Sequence, residues 1–243
     1  MSERVGIVFV SHSAELAAGA VELARQMAGS VRLAAAGGTD DGGIGTSFAK
    51  VSAAVADANG GAGVVVVSDL GSALLTAETV HDMLAEEERA SVAVVDVPFV
   101  EGGIAAAVEA ESGADLAGVV RAAESARTAW AEAPAAESPP PAASAASADA
   151  PVAGTPAHGP YVRDVVVRNR EGLHARPAAE FVKLANTFGA KVTVNGKDAK
   201  SLLGIMSLGL TAGSTAQISS PDAGGAEAVD ALAALVETGF GEA

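Results

Sequence analysis

Cysteine is absent from the 243 residues, which excludes a disulfide framework and any thiolate nucleophile or ligand and fits a reducing compartment. Basic residues are scarce, 15 against 30 acidic ones, and the formal net charge of -15 argues against direct nucleic-acid binding and against docking on an anionic membrane. No stretch reaches the roughly 20 apolar residues of a membrane span. The start, Met1-Ser2-Glu3-Arg4, has no basic leader ahead of a hydrophobic core. The expectation is a soluble, cytoplasmic protein with one or two domains, each able to bury a core.

What is present falls into three parts. Residues 1–130 hold 7 basic and 18 acidic residues, net -11, whereas residues 161–243 hold 8 and 9, net -1. Between them, residues 131–160 are almost entirely Ala, Pro, Ser, Gly and Thr, with seven of the ten prolines and one histidine, His158. That composition cannot bury a core and reads as a linker spanning roughly 30 Å as a flexible coil, more if stiffened by proline.

In the first part strands and helices alternate. Val5 to Val10 is a continuous apolar run ending at Ser11-His12-Ser13; Ala14 to Ala28 carries Leu16, Ala20, Leu23, Ala24 and Met27 on one helical face. Strands are expected over Val31 to Ala35, Ala62 to Val67 and Ser91 to Val97. Helices are expected from Ser47 to Asn59, from the segment Ser68-Asp69-Leu70-Gly71-Ser72 on to about Glu88 and, after a loop at Glu101-Gly102-Gly103, to Ala129. This pattern predicts an α/β fold, a doubly wound parallel sheet with helices on both faces. The glycine-rich loop Gly37 to Thr46 has no Gly-Lys-Ser/Thr and no Gly-x-Gly-x-x-Gly, so nucleotide binding there is not expected. If the strand order is 2-1-3-4, His12 and Asp69 close neighbouring strands where the order reverses. Asp69 then orients the imidazole, the backbone N–H groups of Gly71 and Ser72 meet an anion, and glycine near Gly45 lets backbone approach from the other side.

The last part predicts β-α-β-β-α-β-α, an α+β open-faced sandwich. The strand Val162 to Arg168 precedes Gly172-Leu173-His174-Ala175-Arg176-Pro177-Ala178-Ala179, where a helix to about Phe188 begins near His174. Pro177 suits the first turn. Lys191 to Val194 runs into an Asn195-Gly196 hairpin turn. A short helix from Leu202 to Leu208, a strand from Thr215 to Ser219 and a helix from Ala223 to Thr238 follow. The N–H groups and positive dipole end of the His174 helix, with Arg176 as a fixed cation, form an anion site beside an imidazole kept neutral and nucleophilic.

That octet resembles the active-site signature of HPr, the histidine phosphocarrier of the phosphoenolpyruvate-dependent phosphotransferase system, over Tyr161 to the C-terminus. The resemblance implies that His174 is the phosphorylated residue and that Arg176 steadies the phosphoryl group. Ser201 matches a regulatory phosphorylation position of many HPr proteins, although a cap for the following helix is the plainer reading. His81, beside Asp82, reads as a surface residue. In the first part, Val10-Ser11-His12-Ser13, the loop Gly42 to Thr46, Asp69-Leu70-Gly71-Ser72-Ala73-Leu74-Leu75 and Val100-Glu101-Gly102 resemble the phosphocarrier subunit of the phosphotransferase-dependent dihydroxyacetone kinase. That subunit is a relative of mannose-type enzyme IIA. This implies a homodimer through the first part and His12 as its phosphorylated residue, with Asp69, Gly71, Ser72, Gly45 and Thr46 around the phosphate.

Together the two resemblances imply a phosphohistidine relay from enzyme I through His174 to His12, and on to ADP held in the ADP-binding subunit of the kinase, whose other subunit binds dihydroxyacetone. Neither cofactor nor metal is implied. Two other functions remain open at this point: a mannose-type sugar-transport component, and a regulatory phosphocarrier read by a transcription factor.

Overall fold

The computed structural model of the chain describes residues 3–131, 160–170 and 172–241. The expected linker, with His158, falls almost wholly outside the described residues.

The first body follows the order β1 (Gly6–Ser11), α1 (Ala14–Arg25), β2 (Leu33–Gly37), α2 (Phe48–Ala58), β3 (Val64–Ser68), α3 (Gly71–Met83), α4 (Glu86–Arg89), β4 (Val92–Val95), α5 (Phe99–Glu111) and α6 (Leu116–Ala131). Its four strands are all parallel in the order β2-β1-β3-β4. Every residue of β1 and β3 is buried, as unbroken apolar runs require when helices cover both faces. Side chains alternate between the faces. Ile7, Phe9, Val65 and Val67 point into the core that α1, α5 and α6 cover, while Val8, Val10, Val64 and Val66 pack against α2 and α3. The reversal of strand order therefore lies between β1 and β2 on one side and β3 on the other, with His12 and Asp69 just beyond the carboxyl ends of β1 and β3.

The helices differ from expectation at three places. Glu101-Gly102-Gly103 is not a loop but the first turn of α5. A Cβ on Gly103 would overlap the ring of Phe9, and one on Gly102 would overlap Val97, so the glycines let the helix lie against the sheet. The helix expected to reach Glu88 breaks after Met83 and resumes as α4. The last segment is two helices, α5 and α6, separated at Gly113, whose φ of 90° is left-handed.

The second body has β5 (Tyr161–Val166), α7 (Ala175–Asn186), β6 (Thr193–Val194), β7 (Lys197–Asp198), α8 (Leu202–Met206), β8 (Thr215–Ser220) and α9 (Ala226–Glu237). Its antiparallel sheet runs β5-β8-β6-β7. Asn195 and Gly196, with φ of 46° and 83°, make the tight turn between β6 and β7 that their sequence signals. Phe181, Ile205, Ile218 and Leu232 fill the space between sheet and helices.

Candidate functional site

Two histidines stand at helix starts, one in each body. In the first, β1 delivers His12 to a turn that Ser13 closes by accepting the Leu16 N–H and capping α1. Asp69, at the end of β3, meets that turn three times. One carboxylate oxygen accepts the Ser11 hydroxyl at 2.8 Å and the His12 backbone N–H at 2.9 Å, and the other lies 2.9 Å from His12 Nδ1. Burial works to raise the Asp69 carboxyl, but these bonds from the His12 N–H, the His12 ring and Ser11 outweigh it and hold the group below the usual carboxylate value. A permanent carboxylate at Nδ1 selects the tautomer that carries its proton there. Nε2 then presents its lone pair, and the Ser72 hydroxyl lies 2.7 Å from it.

Ser72 is the second residue of α3. The intrahelical bonds of α3 begin with the Ala73 N–H donating to Leu70, so the N–H groups of Gly71 and Ser72 precede the ladder and face the positive end of the helix. From the opposite side Gly45 donates its N–H to the His12 carbonyl at 2.9 Å with φ of 146°, a backbone open to glycine. Thr46 joins this wall through a hydroxyl contact of 2.9 Å with Thr76, which in turn donates to the Ser72 carbonyl. Lys50 Nζ donates to the carbonyls of Gly37 and Thr39 and secures the glycine-rich loop from below. Thus His12, Asp69, Gly71, Ser72, Gly45 and Thr46 come together at one mouth. Ile44, Leu70 and Leu75, large apolar side chains from 60 to 80% exposed, belong to the same two segments.

In the second body His174 is the N-cap residue of α7, with extended backbone and without a capping side-chain bond. Ala175, Arg176 and Pro177 make the first turn, so the Ala175 and Arg176 N–H groups lack intrahelical acceptors. Arg176 is 64% exposed and leans on Glu180 at 3.8 Å. The approach to His174 depends on Asn169, which carries no motif of its own. Asn169, 1% exposed, donates through Nδ2 to the carbonyl of Gly172. Gly172 has φ of 71°, and a Cβ there would overlap the Leu210 carbonyl. A signal was nonetheless available, since an Asn three residues ahead of a Gly is a turn pattern. Ser201 caps α8 by accepting the Gly204 N–H at 3.1 Å. His81 is partly covered and contacts Asp82 and the Arg89 carbonyl, away from both histidine sites in the fold. Among the described residues, no group of three or more His, Asp or Glu could hold a metal ion, and no helix is long and apolar enough to cross a membrane.

Such an arrangement can accept and release a phosphoryl group on nitrogen: an oriented imidazole, hydroxyl and backbone donors for the phosphate oxygens, and access from solvent. The comparisons with known proteins divide at the same place as the fold. Residues 6–120 match the family described as PTS system fructose IIA component, and residues 161–238 match PTS HPr component phosphorylation site. Over 98% of its length the chain is 38% identical to the phosphoryl donor subunit DhaM of the PEP-dependent dihydroxyacetone kinase of Escherichia coli K12. It spans only 51% of that relative, about half its length. It is also 38% identical to the phosphotransferase subunit DhaM of the PTS-dependent dihydroxyacetone kinase of Lactococcus lactis, covering 45% of this chain and 85% of that one. Phosphocarrier protein HPr of Cupriavidus necator is 42% identical over 33% of this chain and 94% of its own.

Proposed function

Since the chain belongs to the family of phosphoryl donor subunits of dihydroxyacetone kinases that draw on phosphoenolpyruvate, we propose that it is a two-histidine relay, with residues 1–130 and 161–243 as carriers joined by residues 131–160. Enzyme I of the phosphotransferase system charges His174. His12 Nε2 attacks the phosphorus, the bond from His174 to phosphorus breaks, and His174 returns to neutral imidazole. As His12 becomes cationic, the Asp69 carboxylate against Nδ1 stabilises it, while Ser72 and the Gly71 N–H address the phosphate oxygens. A terminal oxygen of ADP bound in the kinase then attacks in line, and the His12 bond to phosphorus breaks, giving ATP for dihydroxyacetone. The chain is on this reading a phosphotransferase component, serving glycerol and dihydroxyacetone metabolism.

The observation that carries the reading is the clamp on His12: a ring fixed at Nδ1 by Asp69 with Nε2 turned to a hydroxyl at a helix start. The collar of Ile44, Leu70 and Leu75 beside it supplies the apolar surface on which the ADP-binding subunit docks. Two copies pair through the first body, where Leu16 and Leu23, two turns apart on α1, are more than two-fifths exposed. Incubating the chain with enzyme I, labelled phosphoenolpyruvate and both kinase subunits tests the relay. Label is expected at His174 and His12, with dihydroxyacetone-dependent release of pyruvate that His12→Ala abolishes. Label at neither histidine would overturn the reading.

A further inference from the structure

The two bodies touch, and not at His12. The second body lies with α7 and α8 against the outer side of α5 and α6. Leu203, 7% exposed, is buried in a cluster with Ala105 of α5 and Ala126 of α6. Lys183 reaches Glu111 at 3.4 Å and Asn186 donates to Glu109 at 3.2 Å. Glu111 is itself built into the first body, since its other oxygen accepts the Ser30 N–H and pairs with Arg4. Further along the seam, a cavity of about 250 Å³ is lined by Arg25, Gly29 and Glu111 from one body and by Arg176, Ala179 and Lys183 from the other.

That last contact fixes where His174 is. Arg176, two residues from it, lies at the carboxyl end of α1, beside Arg25, whereas His12 precedes the amino end of the same helix. A helix of 12 residues is about 18 Å long. In-line transfer between two rings needs reacting atoms brought to about 3–3.5 Å. The docked arrangement holds the histidines at opposite ends of the first body.

We propose that the α5–α6 face is a resting seat for this chain's own HPr-like body, and that His174 can hand its phosphoryl group to His12 of the same chain only after leaving it. The inference rests on the relay reading above. The seat is shaped for release: Glu111 is buried but already held within its own body by the Ser30 N–H and Arg4, and Lys183 is more than half exposed, so undocking strands no buried charge, and the apolar part of the seam is Leu203 with short side chains such as Ala105, Ala126 and Ala179. It also leaves the mouth at His12 uncovered while the second body is docked.

The test uses the full chain, in which introduced thiols have no native competitors. Ala105→Cys with Leu203→Cys, oxidised in dilute solution, is expected to close a disulfide within one chain. Charged at His174, the oxidised chain is expected to label its own His12 about 10²-fold more slowly or worse than the same chain after reduction. Leu203→Glu, by placing a charge in the seat, is expected to enlarge the radius of gyration in small-angle scattering and to speed handover within the chain. Failure of the disulfide to form, unchanged handover in the oxidised chain, or an unchanged scattering radius for Leu203→Glu would each overturn the seat. A reduced chain that labels at His174 and never at His12 would instead overturn the relay, with the disulfide and the scattering still deciding the seat.

Discussion

At His12 the chemistry of one residue is set by the carboxylate behind it. Asp69 takes the Ser11 hydroxyl, the His12 N–H and His12 Nδ1, so it fixes the backbone turn, the ring plane and the tautomer together. Asp69→Asn keeps the shape but offers one acceptor where the site uses two oxygens. It also allows the wrong tautomer, with the proton on Nε2. Transfer from His12 is expected to fall by about 10²-fold or more, measured by quenched-flow labelling, with charging of His174 unchanged. A pH dependence follows from the same bonds. Because folding lowers the Asp69 carboxyl below its unfolded value, its stabilising effect is present at neutral pH. It is withdrawn as the pH falls through the carboxylate range, below about 4. The difference in Tm between the parent chain and Asp69→Asn is therefore expected to narrow between pH 7 and about pH 3; a constant difference would mean the carboxylate charge is not what holds the turn. At His174 the corresponding cation is Arg176, exposed and leaning only on Glu180. Arg176→Ala is expected to slow charging by enzyme I while leaving Tm nearly unchanged.

Among the elements, α5 shows what a sequence can and cannot state. Gly102-Gly103 has the composition of a loop, and glycine inside a helix costs roughly 1 kcal/mol relative to alanine. The compensating term is the close approach of α5 to Val97 and above all of Gly103 to Phe9, the latter a relation between segments more than ninety residues apart that local pattern does not contain. Gly103→Ala is accordingly expected to destabilise by about 1–3 kcal/mol through overpacking, whereas at an exposed helical glycine the same change would stabilise; urea unfolding distinguishes the two. By contrast the parallel character of the first sheet, the Asn195-Gly196 hairpin and the start of α7 were legible, because apolar runs, a dipeptide turn and a first-turn proline act within a few residues. Ser201 belongs with these. Its hydroxyl caps α8, so Ser201→Ala is expected to cost about 1 kcal/mol without altering the charging of His174.

For the molecule as a whole, composition alone separates two bodies by charge and by a segment poor in core-forming residues. Each histidine site was legible because its parts lie on one or two neighbouring strand or helix ends. Their mutual arrangement was not, because Lys183, Asn186 and Leu203 read as two surface polar residues and one core leucine, and only the folded chain gives them Glu111, Glu109 and Ala105 as neighbours. The arrangement bears on how the proposed relay would be fed. While the second body sits on α5 and α6, His12 and its collar of Ile44, Leu70 and Leu75 remain open to solvent. A free HPr can therefore approach His12 without displacing anything. The chain carrying His174→Ala, unable to charge its own second body, is expected to regain dihydroxyacetone-dependent pyruvate release when free HPr is added with enzyme I, phosphoenolpyruvate and the kinase subunits. The regained rate should rise with HPr concentration and saturate. Absence of rescue at any HPr concentration would mean that the mouth at His12 accepts only the covalently joined carrier, and that the route through His174 is obligatory.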